Sequence, residues 1–203
     1  MIIPNAGNVA ATRELCSPAV FRSSFSNWQP AYGMGKALAD AFDICRQTFA
    51  EADAALNEPL SELIFNGPAD RLTLTENTQP AILAVSVAAW RLLESRGIRP
   101  AFVAGHSLGE YSANVAAGTM AFADALRTVR RRGRYMQEAV PVGTGAMAAV
   151  LGLEAALVAQ ACAEAAEGDI VSPANMNGAG QVVIAGSKDA VARAGEKAKA
   201  LGA

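Results

Sequence analysis

The sequence of 203 residues predicts an α/β protein, and three runs of residues carry that expectation. Ala101-Phe102-Val103-Ala104 reads as a short buried strand, Gly105-His106-Ser107-Leu108-Gly109 as a tight turn, and Glu110 to Ala117 as a helix. That strand–turn–helix order around G-x-S-x-G is the context that a nucleophile elbow requires. A helix running to Ser95 is apolar nearly all round, through Ile82, Leu83, Val85, Val87, Ala88, Trp90, Leu92 and Leu93. Such a helix is buried in a larger body. From Ala146 onward a β-α-β-β-α order predicts a ferredoxin-like unit that lacks its last strand.

Composition narrows the function classes. Over half of the residues are hydrophobic, enough for a full core, and the net charge is −2. Nothing in that balance suggests a nucleic-acid or membrane-surface partner. No apolar run reaches transmembrane length. Arg13 and Glu14 fall where the apolar stretch of a secretion signal would lie, so none is expected. Cys16, Cys45 and Cys162 are odd in number and widely spaced, which reads as free thiols in a reducing cytoplasm.

In chain order, residues 1–32 hold no period for more than a few positions. From Gly33 the pattern becomes coherent. Lys36 to Ala54 is expected to be one helix, with Leu38, Phe42, Cys45, Phe49 and Ala52 as its apolar stripe. Leu60 to Asn66 reads as a helical turn ended by Gly67-Pro68. Asn77 or Thr78 is expected to cap the long apolar helix, with Pro80 in its first turn and Gly97 as its stop. Phe122 to Ala139 is helical, with Leu126, Val129, Gly133 and Met136 marking the buried side. At about 100° per residue, Arg131 then points to solvent while Arg130 and Arg132 flank the stripe. Ala146 to Gly152, Asp169 to Asn177 and Gln181 to Ala185 read as strands, Glu154 to Ala166 and Lys188 to Leu201 as helices, with a turn at Gly178-Ala179-Gly180.

The chemistry centres on Ser107. On a strained turn its Oγ projects outward, and Gly105 and Gly109, lacking Cβ, let the helix start close on the strand. The Leu108 N–H, at the helix N-terminus, points where an oxyanion would form. The alternative is a small-residue turn that only joins strand to helix. Gln79, in Thr78-Gln79-Pro80, reads equally as a polar residue satisfying backbone groups at a helix start. Of the arginines, Arg130 and Arg132 remain as candidates for a cleft.

The run GHSLGEYSA, with TENTQPAILAVSVA upstream and RGRYMQEAVPVGTGAMAAVLGL downstream, resembles the malonyl-CoA:acyl-carrier-protein transacylases of type II fatty acid synthesis. The resemblance covers about residues 33 to 203. It implies an α/β-hydrolase-like acyltransferase core with an inserted ferredoxin-like small subdomain, both incomplete in this chain, divided as 33–140 and 141–203 after an aberrant or disordered leader, 1–32. It implies transfer of a malonyl group from malonyl-CoA to the phosphopantetheine thiol of acyl carrier protein, through an ester on Ser107. It selects Arg132 as the holder of the malonyl carboxylate and puts Gln79 near the acyl pocket. A guanidinium fork suits that task, since it can give a carboxylate two parallel hydrogen bonds. Asn175 and Asn177 either border the cleft or cap turns. No metal or redox cofactor is implied.

Two departures from the family's pattern set expectations of their own. Family members carry a Gly-Gln-Gly-Ser-Gln turn just before the Gly-Met-Gly that is Gly33-Met34-Gly35 here. Trp28-Gln29-Pro30-Ala31 stands near that place, and TGG CAG CCA GCN, shifted by one base, reads Gly-Ser-Gln. Residues 1–32 are therefore expected to be a frame-shifted leader, the alternative being a divergent one. The second departure is the base. The one histidine is His106, adjacent to Ser107. Neighbours along a strand point to opposite faces, so His106 is expected to be a core or structural residue and not a base. The resemblance implies a base histidine beyond the second small-subdomain helix, past Ala203. This fragment is thus expected to be weakly active or inactive, the rivals being a serine esterase or thioesterase and a non-catalytic module that binds the carrier protein.

Overall fold

The computed structural model describes residues 2–3, 21–22, 33–178 and 180–203. The leader 1–32 (apart from the backbone of residues 2–3 and 21–22), Cys16 and Ala179 lie outside the described residues. The chain forms two compact units, residues 1–137 and 138–203. Among the described residues no helix is long and apolar enough to cross a membrane.

The first unit is mainly helical. Two short strands, β1 (Ile2–Ile3) and β2 (Phe21–Arg22), pair in parallel. Helices α1 (Gly35–Ala41), α2 (Asp43–Leu56), α3 (Leu60–Asn66), α4 (Ala69–Thr73), α5 (Thr75–Ser95), α6 (Gly109–Ala116) and α7 (Phe122–Ala139) follow. The expected single helix over 36–54 is broken at Phe42, which is extended (φ −138°, ψ 123°). The Phe42 N–H closes α1 on the Leu38 carbonyl, and its own carbonyl accepts the Cys45 and Arg46 amides that begin α2. The apolar stripe runs through this break without a glycine or proline to mark it. Cys45, Phe49 and Ala52 are buried as expected, and Phe49 meets Phe65 edge-on at 5.0 Å between centroids.

Helix α5 is the centre of this unit. Ala81, Leu83, Ala84, Val87 and Ala88 are almost wholly buried among α2, α3, α4 and α7 residues such as Ile64, Leu72, Leu126 and Val129. Its start lies earlier than the cap residues suggest. Asn77 and Thr78 are inside the helix, and their side chains bond the carbonyls of Arg71 and Leu72 at 2.7 and 2.6 Å. They fasten α5 to α4 and do not cap α5. Pro80 consequently falls past the first turn, where its missing N–H deprives the Glu76 carbonyl of a helical donor. Arg130 Nη1 supplies that donor at 2.8 Å.

The strand expected at 101–104 does not form either. Among the described residues it pairs with no strand, and Phe102 is 88% exposed. An extended segment becomes a strand only when a neighbour takes its amides and carbonyls.

The second unit follows the expected order. Strands β3 (Gly145–Leu151), β4 (Val171–Gly178) and β5 (Gln181–Ser187) form an antiparallel sheet in the order β3-β5-β4, with helices α8 (Ala155–Ala165) and α9 (Lys188–Ala200). Strand alternation turns Ala146, Ala148 and Val150 toward a core of Val158, Cys162, Ile184, Val191 and Ala194, and leaves Met147 and Leu151 exposed. Arg193 closes the end of α8, donating to the carbonyls of Ala165 and Ala166 at 2.9 and 3.1 Å and pairing with Asp169 at 3.0 Å.

Candidate active site

The elbow takes the geometry that its residue types demand. Ser107 has φ +52°, in the left-handed region where a non-glycine residue is strained. A Cβ on Gly105 would lie 1.9 Å from the Gly109 carbonyl, so only glycine lets the turn close. The His106 and Ser107 carbonyls accept the Gly109 and Glu110 amides at 2.8 and 3.3 Å. Helix α6 begins directly afterwards, with Leu108 as its N-cap. Among the described residues no acceptor takes the Leu108 N–H, one of the orphan donors that every helix start leaves.

Ser107 is exposed, and its Oγ accepts a hydrogen bond from Arg132 Nη2 at 3.0 Å. Arg132 Nη1 donates to Gln79 Oε1 at 2.5 Å. Gln79 Nε2 in turn donates to Thr75 Oγ1 at 3.1 Å and to Met136 Sδ at 3.3 Å. Four residues of α5 and α7 thus form a connected polar line that ends on the serine. Gln79 side-chain bonds go to Arg132, Thr75 and Met136 and not to backbone groups at the helix start.

Close approach of α5 and α7 makes the line feasible. A Cβ on Gly133 would sit 2.6 Å from Glu76 Cα and 2.8 Å from the Thr75 carbonyl oxygen. Glycine at this crossing brings Arg132, one residue earlier, within reach of Gln79.

Of the two arginines left open by spacing, Arg130 is committed elsewhere. It is 6% exposed, pairs with the Glu58 carboxylate through Nη2, and donates to Asn77 Oδ1 at 2.5 Å. Burial pushes its guanidinium below the ordinary arginine value, opposed first by Glu58; Arg134 adds to the lowering and Glu76 to the opposition. Arg131 is exposed, as the helical phase requires.

Two expectations are corrected. His106 is exposed and not a core residue, because the segment before it lies open along with Phe102. Met136 is also exposed, at the end of α7, and meets the site through its sulfur instead of filling the core. In the second unit Asn177 donates to Gln181 Oε1 at 3.0 Å across the β4–β5 turn, and Asn175 is half-buried on β4. Thr75, Asn77 and Glu58 were not legible as participants. The Thr75–Gln79 spacing of four, one helical turn, is the sequence signal that joins Thr75 to the line.

Comparisons with known proteins give the chain its relatives. The malonyl CoA-acyl carrier protein transacylase of Escherichia coli (strain K12) is 57% identical over 172 residues, covering 84% of this chain and 56% of the relative. This chain therefore spans little more than half the length of that relative. An acyl carrier protein S-malonyltransferase structure from Vibrio cholerae superposes with a TM-score of 0.78 at 47% identity, covering 99% of this chain and 59% of that one. A malonyl-transacylase solved in complex with a type II PKS acyl-carrier protein gives 0.77 at 44% identity, covering 100% and 59%. Residues 26–203, which contain the whole serine–arginine–glutamine line, match the family model for the acyl transferase domain, and the chain belongs to that family.

Proposed function

We propose that this chain is the partial acyltransferase of a malonyl-CoA:acyl-carrier-protein transacylase, with Ser107 as the nucleophile that carries the malonyl group. The carrying observation is the guanidinium of Arg132 held 3.0 Å from Ser107 Oγ. In a malonyl thioester one methylene separates the carboxylate from the reacting carbonyl. A cation that touches the nucleophile is therefore within reach of that carboxylate when the carbonyl is in attacking distance.

Ser107 Oγ attacks the thioester carbonyl, the Leu108 N–H donates to the developing oxyanion, and coenzyme A leaves as the thiol. The thiol of the carrier protein's phosphopantetheine arm then takes the acyl group from the serine ester. Arg132 selects for a carboxylated acyl chain, because an acetyl group would leave the guanidinium without its anion. Gln79 holds Arg132 in place through its Oε1. The relative solved with a carrier protein supports that partner.

A serine hydroxyl needs a base. His106 is the chain's one histidine, and among the described residues Ser107 Oγ is bonded by Arg132. These residues alone are therefore expected to acylate slowly. The unit 33–140 is read as part of an α/β-hydrolase-like core and 141–203 as the ferredoxin-like small subdomain, supported by the β-α-β-β-α order. Buried free thiols at Cys45 and Cys162 suit a reducing cytoplasm.

Intact-mass spectrometry after incubation with malonyl-CoA, beside a Ser107→Ala control, tests the reading. A malonyl-sized gain that the control lacks supports it. Steady release of malonate without a carrier thiol favours a hydrolase instead, and no gain favours a non-catalytic module.

A further inference from the structure

We infer that Arg130 is a positioning residue for Arg132: its ion pair with Glu58 and its bonds to the start of α5 fix how α7 crosses α5, and so hold the Arg132 guanidinium between Gln79 and Ser107. The inference deepens the proposed role of Arg132 and rests on it for its functional meaning.

Two residues apart on a helix are about 200° apart around the axis and about 3 Å along it. Arg130 and Arg132 therefore leave α7 on opposite flanks, with the Gly133 contact on Glu76 between them. On α5 the acceptors repeat that spacing, since Arg130 bonds Asn77 and Arg132 bonds Gln79. The two helices are joined by two rungs on either side of one backbone contact. Any pivot about that contact moves both flanks, so whichever rung is stiffer sets the position of the other.

The Arg130 rung is the stiffer. Its Nη groups meet a carboxylate, the Asn77 amide oxygen and the Glu76 carbonyl, which Pro80 leaves without a helical donor. Glu58 is held from its other side by Arg134 at 3.2 Å, and Arg134 also faces the Glu76 carboxylate at 3.6 Å. The Arg132 rung ends on a neutral amide and a neutral hydroxyl. Both rungs have a charged donor, but only Arg130 meets an anion, and the attraction between opposite charges in a partly buried site adds to the hydrogen bond. Burial adds to the difference, because Arg130 is nearly inaccessible while Arg132 is half-buried. A cavity of about 130 Å³, lined by Glu58, Leu60, Arg71, Asn77 and Arg130, lies on the same flank.

The test uses the whole chain carrying Glu58→Gln together with Arg130→Met. Removing both charges avoids leaving one buried and alone, a replacement that is often neutral for stability. The readout is the Arg132 Nη–H signal in low-temperature proton–nitrogen correlation spectra, assigned by its loss in Arg132→Lys. In the parent it is expected to be distinct and slow to exchange with water. In the double variant it is expected to merge with the exposed arginines and exchange about fivefold faster or more, as for loss of a hydrogen bond. Malonate, titrated into both, is expected to shift that signal with about tenfold weaker apparent affinity in the variant. A folded variant with an unchanged Arg132 signal overturns the inference and leaves Arg130 a structural residue only. A signal lost in the variant, with malonate shifting nothing in the parent, upholds the positioning and overturns the carboxylate role of Arg132. Should the double variant not fold, Arg130→Lys keeps a cation for Glu58 but loses the fork to Asn77 and Glu76. An Arg132 signal identical to the parent's there overturns the inference as well.

Discussion

Arg132 donates to Ser107 Oγ at 3.0 Å while its other terminal nitrogen is held by Gln79, so the elbow serine and the cation are joined across 25 residues of sequence. A guanidinium that donates to the serine oxygen leaves the serine O–H free to be given up, and an incoming carboxylate competes for the same nitrogen. Arg132→Ala is expected to lower acylation by malonyl-CoA about 10- to 100-fold, the loss of a charged hydrogen bond or two, while acylation by acetyl-CoA changes little. Arg132→Lys should fall between, since an ammonium keeps the charge and loses the fork. Intact-mass time courses with both thioesters measure the ratio. Equal losses for the two substrates would remove the selective role.

The left-handed backbone of Ser107 predicts a stability difference that no contact accounts for. Ser107→Gly and Ser107→Ala both delete the Arg132 hydrogen bond, so their difference reports the conformational strain against the smaller, opposite effect of glycine's freedom in the unfolded chain. The glycine variant is expected to be more stable than the alanine variant by about 1–2 kcal/mol, read from urea midpoints. Neither should form a malonyl adduct. Equal midpoints would mean that the elbow relaxes once the hydroxyl is gone.

The elbow was legible because its determinants are local. Gly105, Ser107 and Gly109 lie within five residues, and their steric demand is fixed by their own backbone. Helix α7 and its flanking arginines followed from a period of 3.6, and the second unit from strand and helix lengths. The choice between Arg130 and Arg132 did not follow from spacing. It depends on Glu58, 72 residues away, and on a carbonyl exposed by Pro80. The strand expected at 101–104 failed for a related reason, since strand character is set by a partner and not by the segment. Asn77 and Thr78 have the composition of caps, but tertiary carbonyls from α4 claimed their side chains first.

Gly133, the one glycine of α7, is expected to resist replacement. The atoms that an added Cβ would meet are backbone, Glu76 Cα at 2.6 Å and the Thr75 oxygen at 2.8 Å, so no side chain can swing aside. Gly133→Ala should cost about 1–3 kcal/mol of stability, as overpacking does, although alanine is the better helix former. It should also part Arg132 from Gln79. Loss of malonyl-over-acetyl preference in a still-folded Gly133→Ala chain would register that second effect. A stabilised variant would show that the helices part without strain.

The buried thiols predict how stability responds to alkali. Cys45 donates to the Ala88 carbonyl at 3.4 Å in the first unit, and Cys162 lies in the core of the second. Burial pushes both thiols above the ordinary value of 9.0. The folded state therefore keeps protons that the unfolded chain releases. Their contribution is fully present below pH 9, where thiols in the unfolded chain are still protonated, and is lost as pH rises through the folded values. Each thiol is expected to lower stability by up to about 1.4 kcal/mol per pH unit within that window. Cys45→Ala and Cys162→Ala should each start less stable at pH 7, having lost a buried sulfur, and then decline less steeply between pH 8.5 and 10.5. Parallel curves for parent and both variants would mean that the thiols ionise without unfolding.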